Sequence, residues 1–163
     1  VLIRPATIAD VASMVGLERQ SESAAHWTEQ QYEQLFVAAA HGEWLILVAD
    51  ESRPTPSGPD PKSEVGEGML GFLVARQFAP EWELENMVTA PAFRRKGVGK
   101  RLLDTLFEAC QEAKSESLFL EVRESNTAAR AFYGSAGFEP AGRRKAYYRD
   151  PVEDAILYRR SVR

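Results

Sequence analysis

Cysteine and histidine are nearly absent. The 163 residues include one Cys, Cys110, and two His, His26 and His41. A lone thiol closes no intramolecular disulfide, and these three ligands in no ligand-like spacing give no metal site. Long apolar runs are missing as well. None approaches the roughly 20 residues of a membrane span, and the opening VLIRPATIAD lacks the apolar core of a secretory signal. The expectation is a cytoplasmic protein without membrane contact, folded as a single domain over residues 1–163. Two nucleotide-binding motifs are also excluded. No Gly-Lys-Ser/Thr occurs, so there is no P-loop. The Gly-x-Gly at Gly97 and Gly99 lacks the third glycine of a Rossmann fingerprint and opens a different sheet.

What is present is charge, unevenly spread around a net −4. Residues 1–93 carry five Lys/Arg against fourteen Asp/Glu, a balance of −9, and residues 94–163 carry fifteen against ten, a balance of +5. Two partners of opposite sign meeting on one domain fit this asymmetry, and so does ordinary surface scatter. The densest cationic stretch, Arg94, Arg95, Lys96, Lys100 and Arg101, surrounds Gly97 and Gly99 where an apolar helix begins. Helix starts usually attract acids, because the macrodipole is positive there. A cationic, glycine-bearing start instead fits an anion held on unpaired N–H groups, with the glycines letting the backbone approach it. On composition alone the stretch also reads as a solvated basic turn. Nucleic acid is not expected, because the chain is locally basic but globally acidic.

Periodicity divides the chain into alternating elements. LIRPA reads as a short strand. TIADVASMVGLERQ has helical spacing at Ile8, Val11, Met14 and Val15, with Thr7 as N-cap. TEQQYEQLFVAAA is a second helix, and Thr28 with Gln31 fits a capping box. EWLILVAD and GMLGFLVARQ read as neighbouring strands joined by a long Pro/Ser/Gly-rich connection over 51–68, expected to be flexible. EWELENMVT is a strand ended by Pro91. A helix from about Gly97 to Ala113 puts Leu102, Leu103, Leu106, Phe107 and Cys110 at core spacing, so Cys110 is expected to be a packing residue. SLFLEVR is a strand, NTAARAFYGSAG a helix capped by Asn126, and the tail two antiparallel strands around a polar turn. Early strands pair as meanders and the later strand–helix–strand unit is a parallel crossover, giving a mixed α/β fold. There is no internal repeat.

Alternation places Glu121 on the opposite strand face from Leu118, Leu120 and Val122. An acid in so apolar a strand is costly unless hydrated or paired, and on local pattern alone Glu121 is an ion-pair partner for Arg123 or Arg130. In EWELENMVT, Glu83, Glu85 and Met87 share one face.

The segment RRKGVG resembles the Arg/Gln-x-x-Gly-x-Gly/Ala signature of GNAT acetyltransferases, and the order of elements over the whole chain is similar to that family. LFLEVRESNTAARAFYGSAGF with GRRKAYY and EDAILY, over 117–158, resembles the RimI-type alanine N-acetyltransferases, which modify the N-terminus of a small-subunit ribosomal protein. IRPATIADV and HWTEQQYEQLF are similar to the start of that family. The 51–68 connection and the AAH before Trp27 are not part of the resemblance. The resemblance implies a GNAT fold: a largely antiparallel, twisted mixed sheet of about seven strands with about four helices. It implies acetyl-coenzyme A as co-substrate and no metal. The pyrophosphate would sit on Arg94, Arg95, Lys96, Gly97, Val98, Gly99 and Lys100. The pantetheine would pair with the backbone of Met87, Val88 and Thr89, and Asn126 would contact the pantetheine or phosphate region.

Direct acetyl transfer needs a neutral amine, a polarised thioester carbonyl and a protonated leaving thiolate. An α-amine with a pKa of about 7.7–8.0 needs only one proton acceptor. The resemblance assigns that role to Glu121, with Glu83 as rival on the strand where other GNAT enzymes carry a base. Tyr133 is the candidate general acid, with packing beside Phe132 as its plain alternative. Trp27, Glu85, Tyr147 and Tyr148 fall on the acceptor side, and two tyrosines in a strand also read as ordinary β aromatics. The expected function is acetylation of a protein N-terminal α-amine, a ribosomal protein alanine being one acceptor, by a monomer or homodimer. The alternatives are a GNAT enzyme acting on a small amine or lysine, and an acyl-coenzyme A binding module without turnover.

Overall fold

The computed structural model describes residues 1–22, 24–51 and 68–163. Nearly all of the 51–68 connection, expected to be flexible, therefore lies outside the described residues. The elements in chain order are β1 (Leu2–Pro5), α1 (Val11–Arg19), α2 (Glu29–Ala39), β2 (Trp44–Asp50), β3 (Met69–Phe78), β4 (Glu81–Thr89), α3 (Val98–Glu112), β5 (Ser117–Arg123), α4 (Thr127–Ser135), β6 (Glu139–Tyr148) and β7 (Glu153–Ser161). Seven strands form one sheet in the order β1-β2-β3-β4-β5-β7-β6. β4 and β5 run parallel, while β1–β2, β5–β7 and β6–β7 are antiparallel. This is the mixed, largely antiparallel α/β sheet with four helices that the sequence leads one to expect.

The chain divides into two compact units. The first comprises Val1–Val74 and Asn86–Thr105. Its core packs Val11, Met14 and Val15 of α1 and the fully buried Tyr32 of α2 against Ile46, Val48, Phe72, Val74 and Val88 of the strands. Thr28 caps α2 as expected: the Gln31 N–H donates to Thr28 Oγ1 (3.2 Å) and the Thr28 N–H to Gln31 Oε1 (2.8 Å). Thr7 instead caps a 3-10 turn, Ile8–Asp10, that leads into α1. Arg4 of β1 ties that turn to β2, reaching Asp10 (2.8 Å) and Asp50 (2.7 Å). One polar cluster lies deep in this unit. Asn86 of β4 donates from Nδ2 to Glu18 Oε1 (2.6 Å) and to the Tyr32 hydroxyl (3.1 Å).

Where β3 passes β4, the chain needs a glycine. A Cβ on Gly71 would lie 2.6 Å from the Val88 carbonyl oxygen and 3.3 Å from Val98 Cγ1. Real contacts of a Cβ do not come that close, so Gly71 lets β3 press against both β4 and the first residue of α3.

The second unit comprises Ala75–Glu85 and Leu106–Arg163. Leu84, Leu106, Cys110, Leu118, Leu120, Val122, Phe138, Ile156 and Tyr158 are buried in it. Trp82 is anchored by its indole N–H to Ser115 Oγ (2.9 Å). Cys110 is fully buried, and burial pushes its thiol up to about 12. It is the packing residue its spacing implied. Phe107 is half-buried and covered by the Arg160 guanidinium, 3.6 Å from its ring.

The strand β6 is exposed along nearly its whole length and leaves register with β7 twice. At the second break, Arg144 faces Ala155 and Tyr148 faces Glu153, so Lys145, Ala146 and Tyr147 together oppose only Asp154. Ala146 adopts a left-handed φ of 50° there. Its N–H donates to Asp154 Oδ1 (2.8 Å), and Arg143 donates to Asp154 Oδ2 (2.8 Å). Bulges of this kind bend a strand and re-aim its side chains. Here the re-aimed residues are Tyr147 and Tyr148.

Candidate active site

The expected anion loop belongs to the first unit. After β4, Pro91–Phe93 make a 3-10 turn, and the Ala90 N–H is fixed to the Leu70 carbonyl (2.8 Å). Arg95 and Gly97 both take left-handed φ values, 60° and 83°. Nothing lies within 4 Å of where a Gly97 Cβ would be, so backbone conformation, not crowding, calls for glycine. The first helical bond of α3 is from the Arg101 N–H to the Gly97 carbonyl (3.0 Å). The N–H groups of Val98, Gly99 and Lys100 thus precede the helical ladder. Val98 is buried and the surrounding side chains of Arg94, Arg95, Lys96 and Lys100 are exposed. Three of these cations have local partners: Arg94 donates to the Thr89 carbonyl (3.4 Å), Lys96 lies 5.1 Å from the Phe93 ring centroid, and Lys100 pairs with Asp104 (2.5 Å). All are surface contacts that an incoming anion can replace. Met87, Val88 and Thr89 lie beyond Glu81–Leu84, the part of β4 paired with β5.

The second unit gathers the titratable residues. Alternation along β4 turns Glu83 and Glu85 to the half-buried face, while Trp82 and Leu84 are buried. Along β5 it does the same for Phe119, Glu121 and Arg123. The three carboxylates feel one another. Burial, then the charge of Glu121, raises Glu83, while Arg144 and Arg76 pull it back. Burial, then the charge of Glu83, pushes Glu85 up to about 7. Glu121 accepts an ion pair from Arg144 Nε at 2.8 Å. Local pattern offered Arg123 or Arg130 as its partners, but both are engaged elsewhere. Arg123 pairs with Glu153 (3.4 Å), and Arg130 donates to the Glu124 carbonyl (2.9 Å) and the Tyr158 hydroxyl (3.1 Å). The partner comes from β6, a non-local contact that spacing along β5 does not encode.

Both tyrosines of β6 join this cluster. Burial, followed by the charge of the neighbouring Glu121, raises the Tyr147 phenol. Tyr148 packs edge-on against it (5.1 Å between centroids) under the Arg123 guanidinium (4.2 Å), and burial pushes its phenol up to about 12. Tyr133 of α4 is edge-packed between Phe132 (5.2 Å) and Phe138 (5.7 Å). Burial raises its phenol, with the neighbouring Tyr148 adding to the effect. It therefore keeps its proton at neutral pH. Asn126 caps α4 by accepting the Ala129 N–H (3.1 Å). Trp27 belongs to the first unit, edge-on to Tyr32 (5.4 Å), and lines a cleft of about 240 Å³ with Glu18, His26 and Thr28.

A model of the acetyltransferase (GNAT) family matches residues 18–138. The chain belongs to that family. A Bacillus subtilis relative, provisionally named ribosomal protein bS18-alanine N-acetyltransferase, is 37% identical over 155 residues, covering 95% of this chain and 91% of the relative. The Escherichia coli ribosomal protein bS18-alanine N-acetyltransferase is 38% identical over 91 residues, so the match spans 55% of this chain and 62% of that enzyme. The crystal structure of the ribosomal-protein-S18-alanine N-acetyltransferase from Escherichia coli superposes with a TM-score of 0.75 at 27% identity, covering 99% of this chain and 93% of that one.

Within this GNAT fold, two cations that the sequence pattern does not point to act on the carboxylates. Arg76 closes the apolar run of β3 and stacks over Phe78 (4.2 Å). Its position at the end of a buried strand was the available signal. Arg144 lies inside the quoted RRKAYY, but its reach to Glu121 depends on the register break of β6.

Proposed function

We propose that the chain is an N-acetyltransferase that moves the acetyl group of acetyl-coenzyme A onto the N-terminal α-amine of a protein, a ribosomal protein beginning with alanine being the favoured acceptor. The observation that carries this reading is the convergence of Glu83, Glu85 and Glu121 with Tyr147 and Tyr148 in the second unit. Family membership and the names of the relatives support it.

Acetyl-coenzyme A supplies an acyl group already activated as a thioester. The α3 start fits its pyrophosphate: unpaired N–H groups of Val98, Gly99 and Lys100, a left-handed Gly97 and four exposed cations form an anion cradle. Backbone groups of Met87, Val88 and Thr89 would pair with its extended pantetheine, one N–H stabilising charge on the carbonyl oxygen. Asn126 retains its Nδ2 donor for the same ligand, since only its oxygen is used in the cap.

Glu121 takes a proton from the acceptor ammonium, directly or through a water, leaving a neutral amine. The amine nitrogen bonds to the acyl carbon and the carbon–sulfur bond breaks. Tyr133 donates its phenol proton to the departing sulfur. The nitrogen's second surplus proton leaves to solvent, from which the Tyr133 phenolate is re-protonated after turnover. Glu83 stands as rival base, Glu85 lines the acceptor path, and Tyr147 and Tyr148 hold the first residues of the acceptor.

The test is mass spectrometry of a peptide library incubated with acetyl-coenzyme A. Peptides with a small first residue, Ala above all, and basic residues after it should gain one acetyl group at the α-amine. Blocking the N-terminus should abolish transfer although lysines remain. Transfer onto lysines of blocked peptides, turnover of small amines alone, or binding without transfer would each replace this reading.

A further inference from the structure

We propose that Arg144 is an internal stand-in for the acceptor: its guanidinium occupies the cation position on Glu121 in the free protein and gives it up to the acceptor's N-terminal ammonium. The inference rests on the functional reading above and names the group the acceptor must replace.

The geometry distinguishes Arg144 from its neighbours Arg143 and Arg123. Arg143 is held from both sides, by Glu124 (2.7 Å) and Asp154 (2.8 Å). Arg123 is held by Glu153 and stacked on Tyr148. Arg144 makes one ion pair, through Nε to Glu121 (2.8 Å), and lies 5.5 Å from the Tyr147 ring. Its side chain is 60% exposed, whereas that of Glu121 is only 10% exposed. It also departs from the last paired position before β6 leaves register. A buried-side carboxylate is thus satisfied by a solvent-side cation at the edge of a register break. An ion pair whose cation stands in solvent is worth about 0.5–1 kcal/mol, so it is exchanged readily.

Charge explains why a stand-in is needed. Glu121 pairs with Arg144 and interacts electrostatically with Glu83 and Glu85 of β4 and Tyr147 and Tyr148 of β6, while Arg76 of β3 acts on Glu83 and Glu85, and Arg123 of β5 and Glu153 of β7 act on Tyr148. The carboxylates repel one another, so an empty position beside Glu121 would be costly. Replacing a guanidinium by an ammonium conserves the local charge. Once Glu121 accepts the ammonium's proton it is neutral and no longer draws Arg144 back, which leaves the amine's approach clear during transfer.

The test is R144Q in the full chain, with R144K as the charge-retaining control; exposure of residue 144 makes both compatible with folding. Calorimetry with coenzyme A present and an Ala-initiated peptide as probe should show roughly two- to fivefold tighter binding to R144Q, the factor matching such an ion pair. An N-terminally acetylated copy of the peptide should show no gain. The acid limb of the kcat/KM profile should move to higher pH in R144Q but not in R144K, because Glu83 loses a cation that favours its charged form. Unchanged or weaker binding of the free peptide to R144Q overturns the proposal. Wild-type failure to acetylate any free N-terminus overturns the functional reading instead, and is read in a separate transfer assay.

Discussion

Replacing Glu85 by Gln should stabilise the protein, and only above a defined pH. Glu85 sits half-buried on β4, and burial together with the charge of Glu83 moves its carboxyl from 4.5 to about 7. A folded-state value above the unfolded one means the folded protein binds this proton more tightly. The stability it confers is complete below about 4.5 and is lost as pH rises through about 7. At about 1.36 kcal/mol per pH unit, the gap corresponds to at most ~3.5 kcal/mol. Solvent screening at a partly exposed position reduces that to roughly 1–2 kcal/mol. Part of it is repulsion from Glu83, which the neutral amide also relieves. Urea unfolding of wild type and E85Q across about pH 4 to 8 reads the difference directly. The two should coincide at the acid end, separate through the window and stay apart, E85Q being the more stable, above about pH 7. A constant offset at every pH, or a less stable E85Q at pH 8, would refute the burial-and-repulsion argument.

Glu121→Gln should lower turnover roughly 10²-fold with little change in coenzyme A affinity, as loss of a general base does; a crippled E83Q beside a healthy E121Q would transfer the role to Glu83. Tyr133→Phe keeps the ring packed against Phe132 and Phe138 and removes the proton, so turnover should fall while calorimetric cofactor affinity stays near normal. Gly97→Glu brings a Cβ to a φ of 83° and an anion to the phosphate cradle; affinity for acetyl-coenzyme A should drop about tenfold or more. Gly71→Ala sets a Cβ 2.6 Å from the Val88 carbonyl, and the resulting strain, ~1–3 kcal/mol, should appear as a lowered melting temperature.

The elements were legible because their signals are local. The Thr28–Gln31 box, the alternation of LFLEVR and EWELENMVT, and the spacing of Leu102, Leu106 and Cys110 each depend on residues a few positions apart, and each appears in the structure as read. The carboxylates of the site were visible for the same reason, as acids breaking an apolar pattern. What joins them was not. Arg144 reaches Glu121 across 23 positions of sequence only because β7 lies between β5 and β6, and the Glu18–Asn86–Tyr32 cluster links α1, β4 and α2. The left-handed Ala146 also left no trace, since its N–H is drawn to Asp154 and nothing in Lys-Ala-Tyr announces a turn.

The broken register of β6 has a consequence for self-association. A rim strand presents free backbone donors and acceptors on which a foreign strand can build. On β6, Pro140 lacks a donor, the ladder loses step after Pro140 and again after Arg144, and Arg143, Arg144 and Lys145 line the rim with positive charge. No long straight template remains. The kinks that set Tyr147 and Tyr148 beside Glu121 therefore also discourage copies of the chain from stacking edge to edge into open-ended sheets.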